Sequence, residues 1–119
     1  MNLEEIREYC LSKKAVTEHF PFDEETLVFK VLGKMFLLTN INEVEISVNL
    51  KCDPELALDL RERYESVQPG FHMNKKMWNT VKYTGEFSEK EFYNMIDHSY
   101  DEVVKGMTKK MQQELAQLE

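Results

Sequence analysis

The chain has 119 residues, 42% hydrophobic and 31% charged, and its 15 Lys and Arg against 22 Asp and Glu give a formal net charge of −7. That length suits one domain with one modest core, 1–119, and 4 Gly, 3 Pro and 11% aromatic residues argue against a disordered chain. No apolar run nears the ~20 residues of a membrane span, MNLEEIREYC lacks a signal peptide's basic flank, and Cys10 and Cys52 form no CxxC pair, so a soluble cytoplasmic protein without disulfides or structural zinc is expected.

Asn2 followed by Glu5 reads as a capping box. Leu3, Ile6, Cys10 and Lys14 then recur at helical spacing, which predicts a first helix over about 3–14. Pro21, in EHFPFDEET, marks a connection. TLVFKV at 26–31 and KMFLLT at 34–39, joined at Gly33, predict a β-hairpin. Val44, Ile46, Val48 and Leu50 alternate with Glu45, Ser47, Asn49 and Lys51, the period of a strand with one buried and one wet face.

Asp53 and Pro54 supply an N-cap and a first-turn proline for a helix bearing Leu56, Ala57, Leu58, Leu60 and Tyr64. Arg61, Glu62, Arg63 and Glu65 form its expected solvated side. QPGF at 68–71 reads as a turn, and WNTVKY at 78–83 as a strand with Trp78, Thr80 and Lys82 on one face. Ser88 with Glu91 is a second capping box, ahead of the stripe Phe92, Met95, Ile96 and Tyr100. Gly106 interrupts that helix, and Met107, Met111, Leu115 and Leu118 begin a last one. The predicted fold is α+β and two-layered: a mostly antiparallel sheet with helices on one face, in the order α-β-β-β-α-β-β-α. The other sheet face, bearing Glu45, Ser47, Asn49 and Lys51, is left to water or to a partner.

No catalytic or metal-binding constellation emerges, and no cofactor is expected. GxGxxG, GxxxxGK[ST], HExxH and GxSxG are absent. His19, His72 and His98 are scattered, each without a second ligand at helical spacing. Asp23, Glu24 and Glu25, like Asp101 and Glu102, are explained as solvated caps. Cys10 falls on the first helix's apolar stripe and reads as core. Cys52 precedes a helix N-terminus, a place that lowers a thiol's pKa, but no histidine follows it closely enough to form a nucleophile pair. A non-enzymatic protein is expected.

Charge distribution says more than its sum. Acids are absent from 26–42, where Lys30 and Lys34 stand, and from 66–85, which holds His72, Lys75, Lys76 and Lys82 beside Phe71 and Trp78. Basic residues interleaved with aromatic and amide side chains suit phosphate contact with base stacking, and Asn74 and Asn79 add hydrogen-bonding capacity. A purely structural account stays open. Lysines at a hairpin tip discourage edge pairing, Trp78 fits a core, Asn74 fits a turn, and a charge of −7 repels a polyanion at long range. Met73, Met77, Met107 and Met111 would suit adaptable protein contacts.

Several segments together resemble the MmcQ/YjbR family of small bacterial proteins. These are VFKVLGKMFLL at 28–38, ISVNLKCDPELALDLRERY at 46–64 and QPGFHMNKKMWNTV at 68–81, with HFPFD at 19–23 and IDHSYDEVVKGMTKK at 96–110 in the same order. The resemblance spans about residues 1–115. It implies a secretion-chaperone-like two-layer α+β fold and a DNA-binding role, a label that itself rests on fold analogy. On the matching motifs the implied nucleic-acid-binding residues are Lys30, Lys34, His72, Asn74, Lys75, Lys76, Trp78 and Asn79. Met77 stands where many relatives have a histidine, which removes one polar group from this patch. The expected partner is therefore DNA. The alternative is an adaptor or chaperone-like role with a peptide or protein partner on the sheet face or the C-terminal helix. No metal and no membrane partner is expected, and the chain is expected to be a monomer or weak dimer.

Overall fold

The computed structural model describes residues 1–118. The chain runs α1 (Leu3–Leu11), β1 (Val16–His19), β2 (Thr26–Val31), β3 (Lys34–Asn40), β4 (Ser47–Lys51), α2 (Pro54–Arg63), β5 (Val67–Pro69), β6 (Trp78–Lys82), α3 (Glu89–Lys105) and α4 (Lys109–Gln117). All six strands pair antiparallel in one sheet, ordered β1-β2-β3-β4-β6-β5. This is the expected α+β class, with one more strand and the last helix separate.

The local signals act as their chemistry requires. Asn2 Oδ1 accepts from Glu5 N at 2.8 Å, Asp53 Oδ2 from Leu56 N at 3.1 Å, and Ser88 Oγ from Glu91 N at 3.1 Å. Each satisfies an N–H that the first helical turn leaves without a partner. The β2–β3 hairpin turns on Leu32 and Gly33 with φ of 46° and 80°. Two positive φ values in a two-residue loop match the twist of the flanking strands.

Several boundaries differ from expectation: β6 ends at Lys82, before Tyr83, and α4 spans Lys109–Gln117, leaving Met107 and Leu118 outside it. Helix α1 stops at Leu11, short of Lys14, with Ser12 as its C-cap. The stretch that follows contains β1, whose side chains are almost all exposed; an edge strand that buries no alternating face leaves no period-two signature. Strand β4 begins at Ser47, so Val44 and Glu45 lie outside the ladder and Val44 is fully exposed. Farther along, Gln68 and Pro69 belong to β5, and the turn starts at Gly70.

A β-bulge shapes the centre of the sheet. Phe29 faces Leu37 while the next residue, Lys30, faces Met35, so Phe36 is the extra residue of β3. Phe36 and Leu37 are both fully buried in the main core. Ser99 of α3, itself fully buried, donates from Oγ to the Phe36 carbonyl at 2.5 Å and accepts from Lys51 N at 2.8 Å. One helix hydroxyl thus satisfies backbone groups of two strands.

The main core lies between the sheet and the helices. Leu27, Phe29, Val31, Leu37, Val48, Leu50, Val67 and Val81 from the strands meet Ile6 and Cys10 of α1, Ala57 and Leu60 of α2, Phe92, Met95 and Ile96 of α3, and Leu115 of α4. All four helices therefore cover the same face. Burial pushes the Cys10 thiol up to about 12. It does the same to Cys52, also to about 12, with the neighbouring Asp53 carboxylate adding to the rise. The helix N-terminus beside Cys52 therefore does not activate it, because desolvation of a thiolate outweighs the dipole. Among the described residues no helix is long and apolar enough to cross a membrane.

Candidate nucleic-acid interface

Antiparallel register assigns every strand residue to a face. Partners of the helix-side residues point to the helices, and their neighbours point away. The outward positions are Thr17 and His19 on β1, Thr26, Val28 and Lys30 on β2, Met35, Leu38 and Asn40 on β3, Ser47, Asn49 and Lys51 on β4, Gln68 on β5, and Trp78, Thr80 and Lys82 on β6. None is acidic. Glu18 is the one carboxylate in any strand of the described chain, and it sits opposite Phe29 on the helix side, bound to Arg7 of α1 at 2.7 Å. In a chain of net charge −7, the outward strand positions carry Lys30, Lys51 and Lys82 and no carboxylate.

The 70–77 loop folds back over this face. Met73 packs with Val28, Leu38 and Trp78 in a second, smaller apolar cluster, joined by Met35. Phe71 N donates to Thr80 Oγ1 at 2.9 Å, and Thr80 in turn bonds Asn49 Oδ1. Gly70 has no room for a Cβ, which would lie 2.8 Å from Trp78 Cβ and 2.9 Å from Trp78 O. The loop leaves a groove of about 730 Å³ on the outward face. Its floor includes Asn49, Ser47 and Thr80, its side includes Gln68 and Lys82, and Phe22 and Phe71 stand at its mouth, 64% and 67% exposed. Glu43 is the one carboxylate that lines it.

The eight sequence-derived candidates divide. Lys30 lies on the outward face, and His72, Lys75 and Lys76 are exposed on the covering loop. Lys34 is exposed at the hairpin tip but pairs with Val31, so it projects to the helix side and away from the others. Asn74 is occupied within its own turn: Oδ1 accepts from Lys76 N at 3.0 Å, and its carbonyl accepts from Met77 N and Trp78 N. Trp78 is 9% exposed and anchors the small cluster. Asn79 points the opposite way, 1% exposed, with Oδ1 accepting from Arg61 Nε at 2.7 Å. Lys75 also serves the loop, its Nζ donating to the Gly70 carbonyl at 2.8 Å.

Arg61 corrects a further reading. Expected on the solvated side of its helix, it reaches Asn79, the Trp78 carbonyl at 3.2 Å and the Lys75 carbonyl, and so clamps the loop's C-terminal end to α2. The residues missed as site candidates are Lys51, Asn49, Thr80 and Phe22. Period-two alternation around 47–51 signalled that Asn49 and Lys51 share a face, but not which strands flank them. Lys82 and Phe71 stood in the acid-free window without being chosen.

Comparison with known proteins now bears on the chain as a whole. Residues 11–102 match the family model described as YjbR. The chain belongs to the YjbR family. It is 30% identical over 118 residues to YjbR of Escherichia coli K12, covering 99% of this chain and 100% of that one. It is 40% identical over 93 residues to YbdF of Escherichia coli O157:H7, covering 78% of this chain and 76% of that one. Both relatives are described as uncharacterized. Among solved structures, Deinococcus radiodurans protein DR2400 superposes with a TM-score of 0.90 at 39% identity, covering 97% of this chain and 88% of that one. A Pseudomonas syringae protein does so with a TM-score of 0.71 at 26% identity, covering 87% and 99%. The YjbR fold is therefore common to these chains, and a fold does not determine an activity. Function has to be argued from the outward face.

Proposed function

We propose that this YjbR-family protein binds DNA non-enzymatically across its outward sheet face. The observation that carries the reading is the acid-free set of outward strand positions in an acidic molecule. Lys30, Lys51 and Lys82, with Lys76 on the loop, are placed for phosphates, which supply most of the affinity in such complexes. Phe71, Phe22 and His72 offer ring faces for bases, and Asn49, Thr80 and Gln68 offer polar groups to base edges.

Fluorescence anisotropy with labelled single-stranded and duplex DNA at two salt concentrations tests this. Affinity should fall with salt, and Lys30→Glu with Lys82→Glu should flatten the slope of log K against log salt by roughly 0.7–0.9 for each phosphate no longer neutralised. Absence of binding at low salt, or binding untouched by the double reversal, would overturn it. A peptide or protein partner on the same face is the second reading, favoured by the exposed Phe22 and Phe71. Salt-insensitive capture that disappears in Phe71→Ser would select it.

A further inference from the structure

The sheet's helix side is not evenly covered. Helix α3 packs over β2, β3 and β4, and α2 packs over β5 at the far edge. Between them the core face of β4 and β6 opens into a pocket of about 360 Å³, within the range of small-ligand sites. Its inner surface is apolar, built from Leu50, Val81, Leu60 and Met95.

Its outer end is polar and cationic. Lys90 and Asn94 stand four residues apart on α3, hence on one face of the helix. Both line the pocket, and among the described residues neither side chain has a hydrogen-bond or ion-pair partner. Arg63 of α2 lines it too, held by the exposed Asp59 at 3.0 Å with its remaining N–H groups free. The pocket's one carboxylate, Glu91, already accepts from Tyr64 Oη at 2.7 Å. Lys51 lines the pocket as well, so three cations and an unpartnered amide border an otherwise apolar slot.

We infer that the pocket between α2 and α3 binds a small organic anion, with a ring-sized apolar body against Leu50, Val81 and Met95 and its carboxylate, phosphate or sulfonate at Lys90, Asn94 and Arg63. Its anion-holding groups belong to α2 and α3, on the face opposite the proposed DNA surface, and Lys51 at the end of β4 is the one residue that the two sites share.

Anilinonaphthalene sulfonate, an aromatic anion whose fluorescence rises on desolvation, is a direct probe. It should bind saturably at one probe per chain. Octanoate should displace it at a concentration on the order of tenfold below that needed for octanol, the value of one charge-assisted hydrogen bond. Lys90→Glu, an exposed change, should remove octanoate's advantage while circular dichroism stays unchanged. Met95→Trp, which fills the slot, should abolish the signal, and Phe71→Ser on the other face should preserve it. Non-saturable fluorescence, equal displacement by octanol and octanoate, or a signal that survives Met95→Trp but not Phe71→Ser would overturn the inference.

Discussion

Adjacent residues of β6 do opposite work. Trp78 faces outward and supports the 70–77 loop, whereas Asn79 faces inward and receives the Arg61 guanidinium. Removing the Asn79 amide leaves a half-buried cation short of an acceptor, which costs about 1–3 kcal/mol. Asn79→Ala should therefore lower the urea midpoint with an unchanged m-value, and DNA affinity measured below the transition should hold. Weaker binding at unchanged stability would instead make Asn79 a DNA-touching residue. Lys82→Glu should show the reverse, with stability within about 0.5 kcal/mol of the parent. The sequence marked both Trp78 and Asn79 as candidates because amide and aromatic side chains have the right chemistry for either task. Which face each residue occupies depends on register against β4, a pairing across nearly thirty positions that local pattern does not carry.

At the scale of elements, polar side chains join pieces that apolar packing alone would leave loose. Ser99 is the clearest case, satisfying the bulged carbonyl of Phe36 and the amide of Lys51 from within α3. Ser99→Ala keeps the volume nearly constant but leaves both groups buried and unpaired, an expected loss of about 1–3 kcal/mol for each such group. Thermal or urea unfolding reads this loss, and amide exchange at Lys51 should accelerate; a neutral substitution would mean that the bulge has another partner. Periodicity did not reveal the bulge, because Phe36 and Leu37 are two apolar neighbours in a run of four.

Three carboxylates brace a turn or join segments in a similar way. Asp23 accepts from Glu25 N and Thr26 N ahead of β2, Glu86 accepts from Ser66 Oγ, Ser66 N and Glu65 N ahead of β5, and Glu18 binds Arg7 between β1 and α1. These hydrogen bonds hold all three below the usual carboxylate range. A depressed folded-state pKa contributes stability above the unfolded value and loses it as pH falls through the folded value. The melting temperature should accordingly hold near neutrality and decline below about pH 4. Glu86→Gln should lower the neutral melting temperature and make the acid decline shallower; an unchanged acid profile would show that Glu86 is not linked to folding.

Over the whole molecule, charge is sorted by layer. The helices carry most of the carboxylates, including Glu4, Glu5 and Glu8 on α1 and Asp97, Asp101 and Glu102 on α3, while the outward strand positions carry lysines and no carboxylate. A net charge of −7 thus conceals a row of outward strand positions whose charged side chains are lysines. By itself the sequence determined the helix caps, the β2–β3 hairpin, the α+β class and the apolar residues that fill the core, because each depends on interactions within a few positions of the chain. The tertiary structure decided that Lys34 and Asn79 leave the shared surface, that Arg61 turns inward, that Lys51 and Lys82 join Lys30, and that α2 and α3 part over β4 and β6. Those outcomes follow from strand register and helix packing, which bring together residues distant in sequence and so leave no local periodic trace.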